Sequence, residues 1–322
     1  MREDLPSGNT WTQQIASDGT FARRPTHFHG AIGDGPDAAH PAEAGRYHLY
    51  VSLACPWAHR TLIVRALKGL EHVISVDVVH PYLSEIGWSF GTDFRGATGD
   101  TVASRKLLRE VYLAANPEFK GVVTVPVLWD KHLGTIVNNE SSEIIRMLNG
   151  SFQAWARHRE VDLYPLHLQN AIEETNAWVY ADINNGVYRS GFARSQEAHD
   201  AAADQLFAAL DRVEDILTRK DFLCGDVLTE ADVRLFVTLI RFDAVYHTHF
   251  KCNRKTVLQS PALMRYMANI HHQPGVAATL DLEHVRHHYY GSHKHINPSG
   301  LIPKGPDVLA ALAGAQARQV SL

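Results

Sequence analysis

Apolar and polar residues alternate through Tyr47, Leu49 and Val51, with His48 and Tyr50 between them, and this period of two predicts a strand. The period then lengthens. From Pro56 to Lys68, Leu62, Ile63, Ala66 and Leu67 share one face of a predicted helix that Gly69 stops. The β-branched run Val73-Ile74-Ser75-Val76-Asp77-Val78-Val79 predicts a second strand. Residues 80–104 read as a Gly-rich insertion. Leu107, Leu108, Val111 and Tyr112 then predict a helix, and Val122–Trp129 reads as a short buried strand. Ile144, Ile145 and Leu148 belong to a helix starting near Glu140. Together these elements predict a small α/β domain over 45–150.

Beyond Trp155 the strand signal disappears. Leu168, Ile172, Thr175 and Val179 recur at helical spacing, as do Leu206, Leu210, Val213 and Leu217. Thr229-Glu230-Ala231-Asp232 has the form of a capping box, with Asp in the usual Glu position, ahead of the apolar helix Val233–Ile240. Leu263, Met267 and Ile270 predict another helix, ended by Pro274. An all-helical domain is therefore expected over 151–290, flanked by an irregular N-terminal arm (1–44) and a C-terminal tail (291–322). Within the arm, Gly33-Asp34-Gly35-Pro36-Asp37-Ala38 matches a dinucleotide-binding pattern without the strand and helix that this pattern requires.

Composition narrows the function. The chain has 322 residues, enough for two domains, and its net charge of −4 offers no general attraction for nucleic acid. The first residues, Met1-Arg2-Glu3-Asp4-Leu5-Pro6, lack the apolar core of a signal peptide, and no apolar stretch is long enough to span a membrane. Three cysteines, Cys55, Cys224 and Cys252, are too few and scattered for a disulfide scaffold or an all-cysteine zinc site. A reducing, cytoplasmic setting is expected. Among 20 histidines there is no His-Glu-x-x-His and no close Cys/His quartet, so no metal is expected.

In that setting Cys55 stands out. Cys55-Pro56-Trp57-Ala58-His59-Arg60 lies where the first strand gives way to the first helix. Unpaired N–H groups and the helix dipole at such a position lower a thiol's pKa. Position 58 is alanine, so the chain carries no second thiol of a Cys-x-x-Cys pair. A mixed disulfide on Cys55 must be resolved from outside, and the abundant cytoplasmic thiol is glutathione. Cys224 and Cys252 lack the Pro-helix context and read as structural.

Two further features fit a glutathione site. Pro126, just before Val127-Leu128-Trp129, is an odd neighbour for a buried strand unless its bond is cis or the strand end is exposed. A cis bond would turn the Val125 N–H and C=O toward an extended, peptide-like ligand. Asn138-Asn139-Glu140-Ser141-Ser142 opens the last helix of the α/β domain. There, N–H groups and the Ser141 hydroxyl can hold a carboxylate, and Glu140 an ammonium, the two groups at glutathione's γ-glutamyl end.

These motifs, with Thr124-Val125-Pro126-Val127-Leu128-Trp129-Asp130, resemble the glutathione-transferase superfamily: a thioredoxin-like α/β domain followed by an all-α domain. More narrowly, the chain resembles the glutathionyl-hydroquinone reductases of the Xi class. Gly87-Trp88-Ser89-Phe90, Asn184-Asn185-Gly186-Val187-Tyr188, Arg241–Tyr246, His249–Cys252, His288-Tyr289-Tyr290, Ser292-His293-Lys294 and Asn297-Pro298-Ser299-Gly300 carry that likeness, which runs from about residue 10 to 305.

The resemblance implies that Cys55 attacks the sulfur of a glutathionyl-hydroquinone, releases the hydroquinone and is freed by a second glutathione. It implies Val125, Glu140 and Ser141 as glutathione contacts, with Trp88 packing on the ligand and Arg109 meeting its anionic end. Tyr188 and Tyr289 would face the quinol ring, and the protein would be a homodimer. Two alternatives stand beside this reading: a glutaredoxin- or dehydroascorbate-reductase-like thiol transferase, and a non-catalytic interaction module.

Overall fold

The computed structural model describes residues 16, 18–33, 35 and 37–315. The start of the chain, where the absence of a leader was read, lies outside them, as do Asp34 and Pro36 of the glycine pattern.

Strand β1 (Tyr47–Val51) is buried on both faces and enters helix α1 (Pro56–Leu67). Proline fits the first turn of α1, where an N–H would be unpaired anyway. Gly69 ends the helix in the left-handed region, φ 63°, and a β-carbon there would come within 2.7 Å of the Arg157 side chain. Strand β2 (Ser75–Val78) returns parallel to β1. The insertion then carries a small hairpin, β3 (Leu83–Ser84) and β4 (Gly87–Trp88), and leads into α2 (Leu108–Ala115). Buried carboxylates fasten it to the sheet: Asp77 accepts from the Thr101 N–H at 2.6 Å, and Asp100 from the Tyr50 hydroxyl at 2.9 Å.

The strand predicted within 122–129 is shorter and lies later. β5 spans Val127–Asp130 and pairs antiparallel with β1. Residues 122–125 run along α2 instead, where Thr124 accepts from the Tyr112 hydroxyl at 2.8 Å. The Val125–Pro126 bond is cis. Strand β6 (Thr135–Asn138) was not predicted; it completes the sheet order β2-β1-β5-β6 before α3 (Ser141–Gly150). This mixed sheet is the thioredoxin-like arrangement.

The arm is irregular but seated. Gly30 N–H donates to Val137 O and Asn139 N–H to Phe28 O, so the arm covers the free edge of β6. Arg46 and His40 both meet Asp130, whose pKa falls to about 2 against the cost of its burial.

The second domain is helical: α4 (Gln169–Trp178), α5 (Gly186–Phe192), α6 (Gln196–Leu217), α7 (Glu230–Arg241), α8 (His247–His249), α9 (Pro261–His271) and α10 (Leu282–Ser292). π-helical turns at Val179–Asn184 and Phe242–Tyr246 precede α5 and α8. The C-terminal stretch holds a further helix, α11 (Val308–Gly314), whose buried Val308 and Leu312 pack it on α9. Helix α7 is buried along its whole length and packs directly on α1.

Its start is the capping box read in the sequence. Buried Asp232 accepts from the Thr229 N–H at 2.9 Å, the Thr229 hydroxyl at 2.8 Å and the Leu223 N–H at 2.8 Å. Asp232→Ala strands these buried donors and is expected to cost about 2–3 kcal/mol, checked by urea unfolding.

Candidate active site

Cys55 occupies the N-cap of α1 with extended backbone, φ −74° and ψ 121°, and its thiol makes no capping hydrogen bond. Its Sγ lies 3.6 Å from the Val125 carbonyl oxygen. The segments meeting there are the β1–α1 loop and the stretch before β5, both fixed by the sheet.

Cys55 lines a cavity of about 720 Å³. Trp88, Arg109, Val125, Tyr188 and Tyr289 line it too, so the residues assigned to the thiol, part of the glutathione site and the quinol site share one space. A second cavity of about 260 Å³ adjoins it and is bordered by Asn139, Glu140 and Ser141. Arg23, Trp57, Val122, Thr124 and Val125 line both.

In the smaller cavity Glu140, not Ser141, is the helix cap. Its carboxylate accepts from the Ser142 N–H at 3.1 Å and the Ser142 hydroxyl at 2.9 Å. The Glu140 carbonyl takes the Glu143 and Ile144 N–H groups. Ser141 opens the first turn, and among the described residues its N–H has no partner. Its hydroxyl lies 3.3 Å from Nη1 of the buried Arg60, whose Nη2 donates to Asn184 Oδ1 at 2.8 Å. An anion at this helix start therefore meets an N–H, a hydroxyl and a nearby cation.

At the aromatic end the Tyr188 and Tyr289 hydroxyls are 2.6 Å apart, and Tyr246 lies 3.1 Å from Tyr289. Trp88 stacks on His288, ring centres 5.0 Å apart and planes within 20°. Phe21 of the arm packs on Tyr188 at 6.4 Å and Phe192 at 5.2 Å.

Models of the glutathione S-transferase N-terminal domain and C-terminal domain match residues 54–150 and 196–269. Glutathionyl-hydroquinone reductase YqjG of Escherichia coli K12 is 50% identical over 304 residues, 92% of each chain. Its glutathione-bound structure aligns with TM-score 0.84 at 51% identity, over 87% of this chain and 94% of that one. Glutathionyl-hydroquinone reductase PcpF of Sphingobium chlorophenolicum is 48% identical, over 92% of this chain and 93% of its own. The glutathione-S-transferase Xi of Phanerochaete chrysosporium aligns with TM-score 0.88 at 49% identity, covering 91% and 95%. The chain belongs to the Xi class of glutathione transferases.

The electrostatics of this Xi-class site correct one expectation. Desolvation in the cavity wall pushes the Cys55 thiol above its ordinary value, although the N–H dipoles of Ala58 and Trp57 and the charges of Arg23 and Arg241 pull it down. Helix-start stabilisation is present, but burial outweighs it. The phenols of Tyr188, Tyr246 and Tyr289 are likewise pushed upward by burial and stay protonated at neutral pH. His288 falls to about 4 for the same reason and is neutral.

Sequence reasoning missed Phe21 and Arg23, since the arm has no periodic pattern to place it. Tyr246, which the sequence offered only within a family motif, lines neither cavity and supports Tyr289 through its hydroxyl. Among the described residues no group of three His, Cys, Asp or Glu side chains is arranged to hold a metal, and no helix is long and apolar enough to cross a membrane.

Cys252 is fully buried, with its thiol pushed up to about 12, whereas Cys55 faces an open cavity. Alkylation of the native protein followed by peptide mass spectrometry is expected to label Cys55 first and leave Cys252 untouched until unfolding.

Proposed function

We propose that this chain is a glutathione-dependent oxidoreductase that reduces glutathionyl-hydroquinones to hydroquinones. One observation carries the reading: Cys55, with alanine at position 58, opens on a cavity whose other wall is a pair of hydrogen-bonded phenols. A lone thiol facing phenols suits attack on a sulfur attached to a quinol ring. The names of the relatives YqjG and PcpF agree with it.

In the first step the Cys55 thiolate attacks the glutathionyl sulfur. The sulfur–sulfur bond forms, the sulfur–aryl bond breaks, and the ring carbon takes a proton. In the second step the thiolate of another glutathione attacks the mixed disulfide. Glutathione disulfide leaves and Cys55 is regenerated. The ligand's γ-glutamyl carboxylate sits at the Ser141 N–H and hydroxyl, its ammonium at Glu140, and its cysteinyl backbone at Val125. Trp88 packs on the ligand, and Arg109 meets its anionic end. Tyr188 and Tyr289, kept protonated by burial, hydrogen-bond the quinol oxygens and steady the leaving ring.

The same reading places the enzyme in the glutathione-rich cytoplasm, as a homodimer.

Cys55→Ala is expected to abolish turnover of a glutathionyl-quinol; full retained activity overturns the mechanism. Intact mass after treatment of the wild type without free glutathione should show one glutathione added at Cys55. Ser141→Ala and Glu140→Gln should each weaken glutathione binding, read by calorimetry, about tenfold.

A further inference from the structure

Both proposed steps need Cys55 as an anion, first as the attacking group and then as the leaving group. The surroundings of the thiol work against this, because burial favours the neutral form. Within the thioredoxin-like domain the opposing contribution comes from two N–H dipoles, Ala58 and Trp57. The cations come from elsewhere.

Arg241, the last residue of α7, is fully buried. Its Nε donates to Ala54 O at 2.9 Å, and its Nη2 to Leu53 O at 3.0 Å. These are the two residues that lead into Cys55. Nη1 donates to Val237 O at 2.8 Å and meets His59 Nδ1 at 3.0 Å. His59 is driven well below its ordinary pKa by burial and then by Arg241, so it is neutral. Its Nδ1 accepts from Arg241, which leaves its Nε2–H to donate to Thr279 Oγ1 at 2.8 Å. Every one of these partners is neutral. A buried guanidinium bonded only to neutral groups is costly unless a negative charge forms beside it.

Arg23 is carried to the cavity by the arm. Its guanidinium carbon lies 4.4 Å from the Trp57 ring centre and 5.3 Å from that of Tyr188. Its Nε donates to Asn185 Oδ1 at 3.3 Å. It lines both cavities, beside Cys55 in the larger one.

The other ionisable groups that face the thiol do not fill this role. Tyr188, Tyr289, His288 and His293 are neutral in their buried settings, and desolvation brings His295 to about 4, so it is neutral too. Tyr82, Glu85 and Lys294 line the cavity but are exposed to solvent, which screens charge there. Arg109 is assigned above to the ligand's anionic end.

Resting on the reading of Cys55 as nucleophile, we infer that Arg23 and Arg241 are paired counter-charges of the Cys55 thiolate, supplied by the arm and the helical domain. Arg23 borders the ligand space and belongs to the binding surface. Arg241 is a positioning residue: it acts through the Leu53–Ala54 carbonyls and its charge. The thiol then becomes competent only when all three parts of the chain are assembled around it.

The test is the pH dependence of Cys55 alkylation by iodoacetamide in the full chain, without glutathione or quinol, for the wild type, Arg23→Gln, Arg241→Lys and Arg241→Met. Fold is checked by circular dichroism. The midpoint is expected to move upward by about one pH unit in Arg23→Gln and in Arg241→Met, with a smaller shift in Arg241→Lys, which keeps the charge. For Arg241→Lys, kcat on a glutathionyl-quinol should fall while KM changes less than about threefold, since Arg241 does not touch the ligand. If Arg241→Met does not fold, Arg23→Gln decides. A folded Arg23→Gln or Arg241→Met with the wild-type profile overturns the pairing. Because the alkylation involves no quinol, that failure is distinct from retained turnover in Cys55→Ala, which would overturn the nucleophile itself.

Discussion

The thiol belongs to α1, the phenols to α5 and α10, and the seam between α1 and α7 fixes how they meet. That seam is buried and polar at once. Arg241 reaches from the end of α7 to the carbonyls of Leu53 and Ala54, while His59 on α1 bridges from Arg241 to Thr279. A second buried arginine, Arg60 on α1, crosses in the other direction to Asn184. Such bonds have strict directions and hold one relative placement of the domains, where apolar contacts alone tolerate sliding. The π-helical turns at Val179–Asn184 and Phe242–Tyr246 lie on this side of the helical domain. They set Asn184 against Arg60 and Tyr246 against Tyr289.

How much of this was legible follows from the range of the interactions. The β1–α1–β2 unit, the capping box of α7 and the position of Cys55 are local patterns, and periodicity carries them. Strand β6 escaped notice because Thr135–Asn138 is only four residues long and directly follows a turn. Part of its edge is completed by the arm, through Gly30 and Phe28. The arm itself contributes Phe21 and Arg23 to the cavity only through tertiary contacts, which no spacing along residues 1–44 announces. Motifs and family likeness pointed to Tyr188, Tyr289, Trp88 and Arg109, and the fold puts all four around one cavity with Cys55.

The direction of the Cys55 shift was the least legible feature. A helix start predicts a lowered pKa, and the lowering contributions are present. Burial reverses the net sign, and burial at a cavity wall is decided by residues distant in sequence. The same burial acts on the neighbours. It keeps three phenols protonated and His288 neutral, so the aromatic end of the cavity is rich in polar groups yet carries no charge on them.

This separation has a chemical consequence under the proposed reaction. Arg241 is held at the sulfur end, Arg23 lies over Trp57 and reaches the Tyr188 ring, and the hydroxyls of the ring end are neutral. A neutral quinol ring enters such a pocket without surrendering an ion pair to the interior, while the thiolate is stabilised where the sulfur–sulfur bond forms. Reversing the arrangement would fail on both counts. A cation beside the quinol oxygens would hold the ring as a phenolate and slow its release, and a thiol walled only by phenols would stay protonated. The two-domain architecture is what lets one cavity keep both environments: the arm and α7 bring charge to the start of α1, and α5 and α10 bring hydroxyls without it.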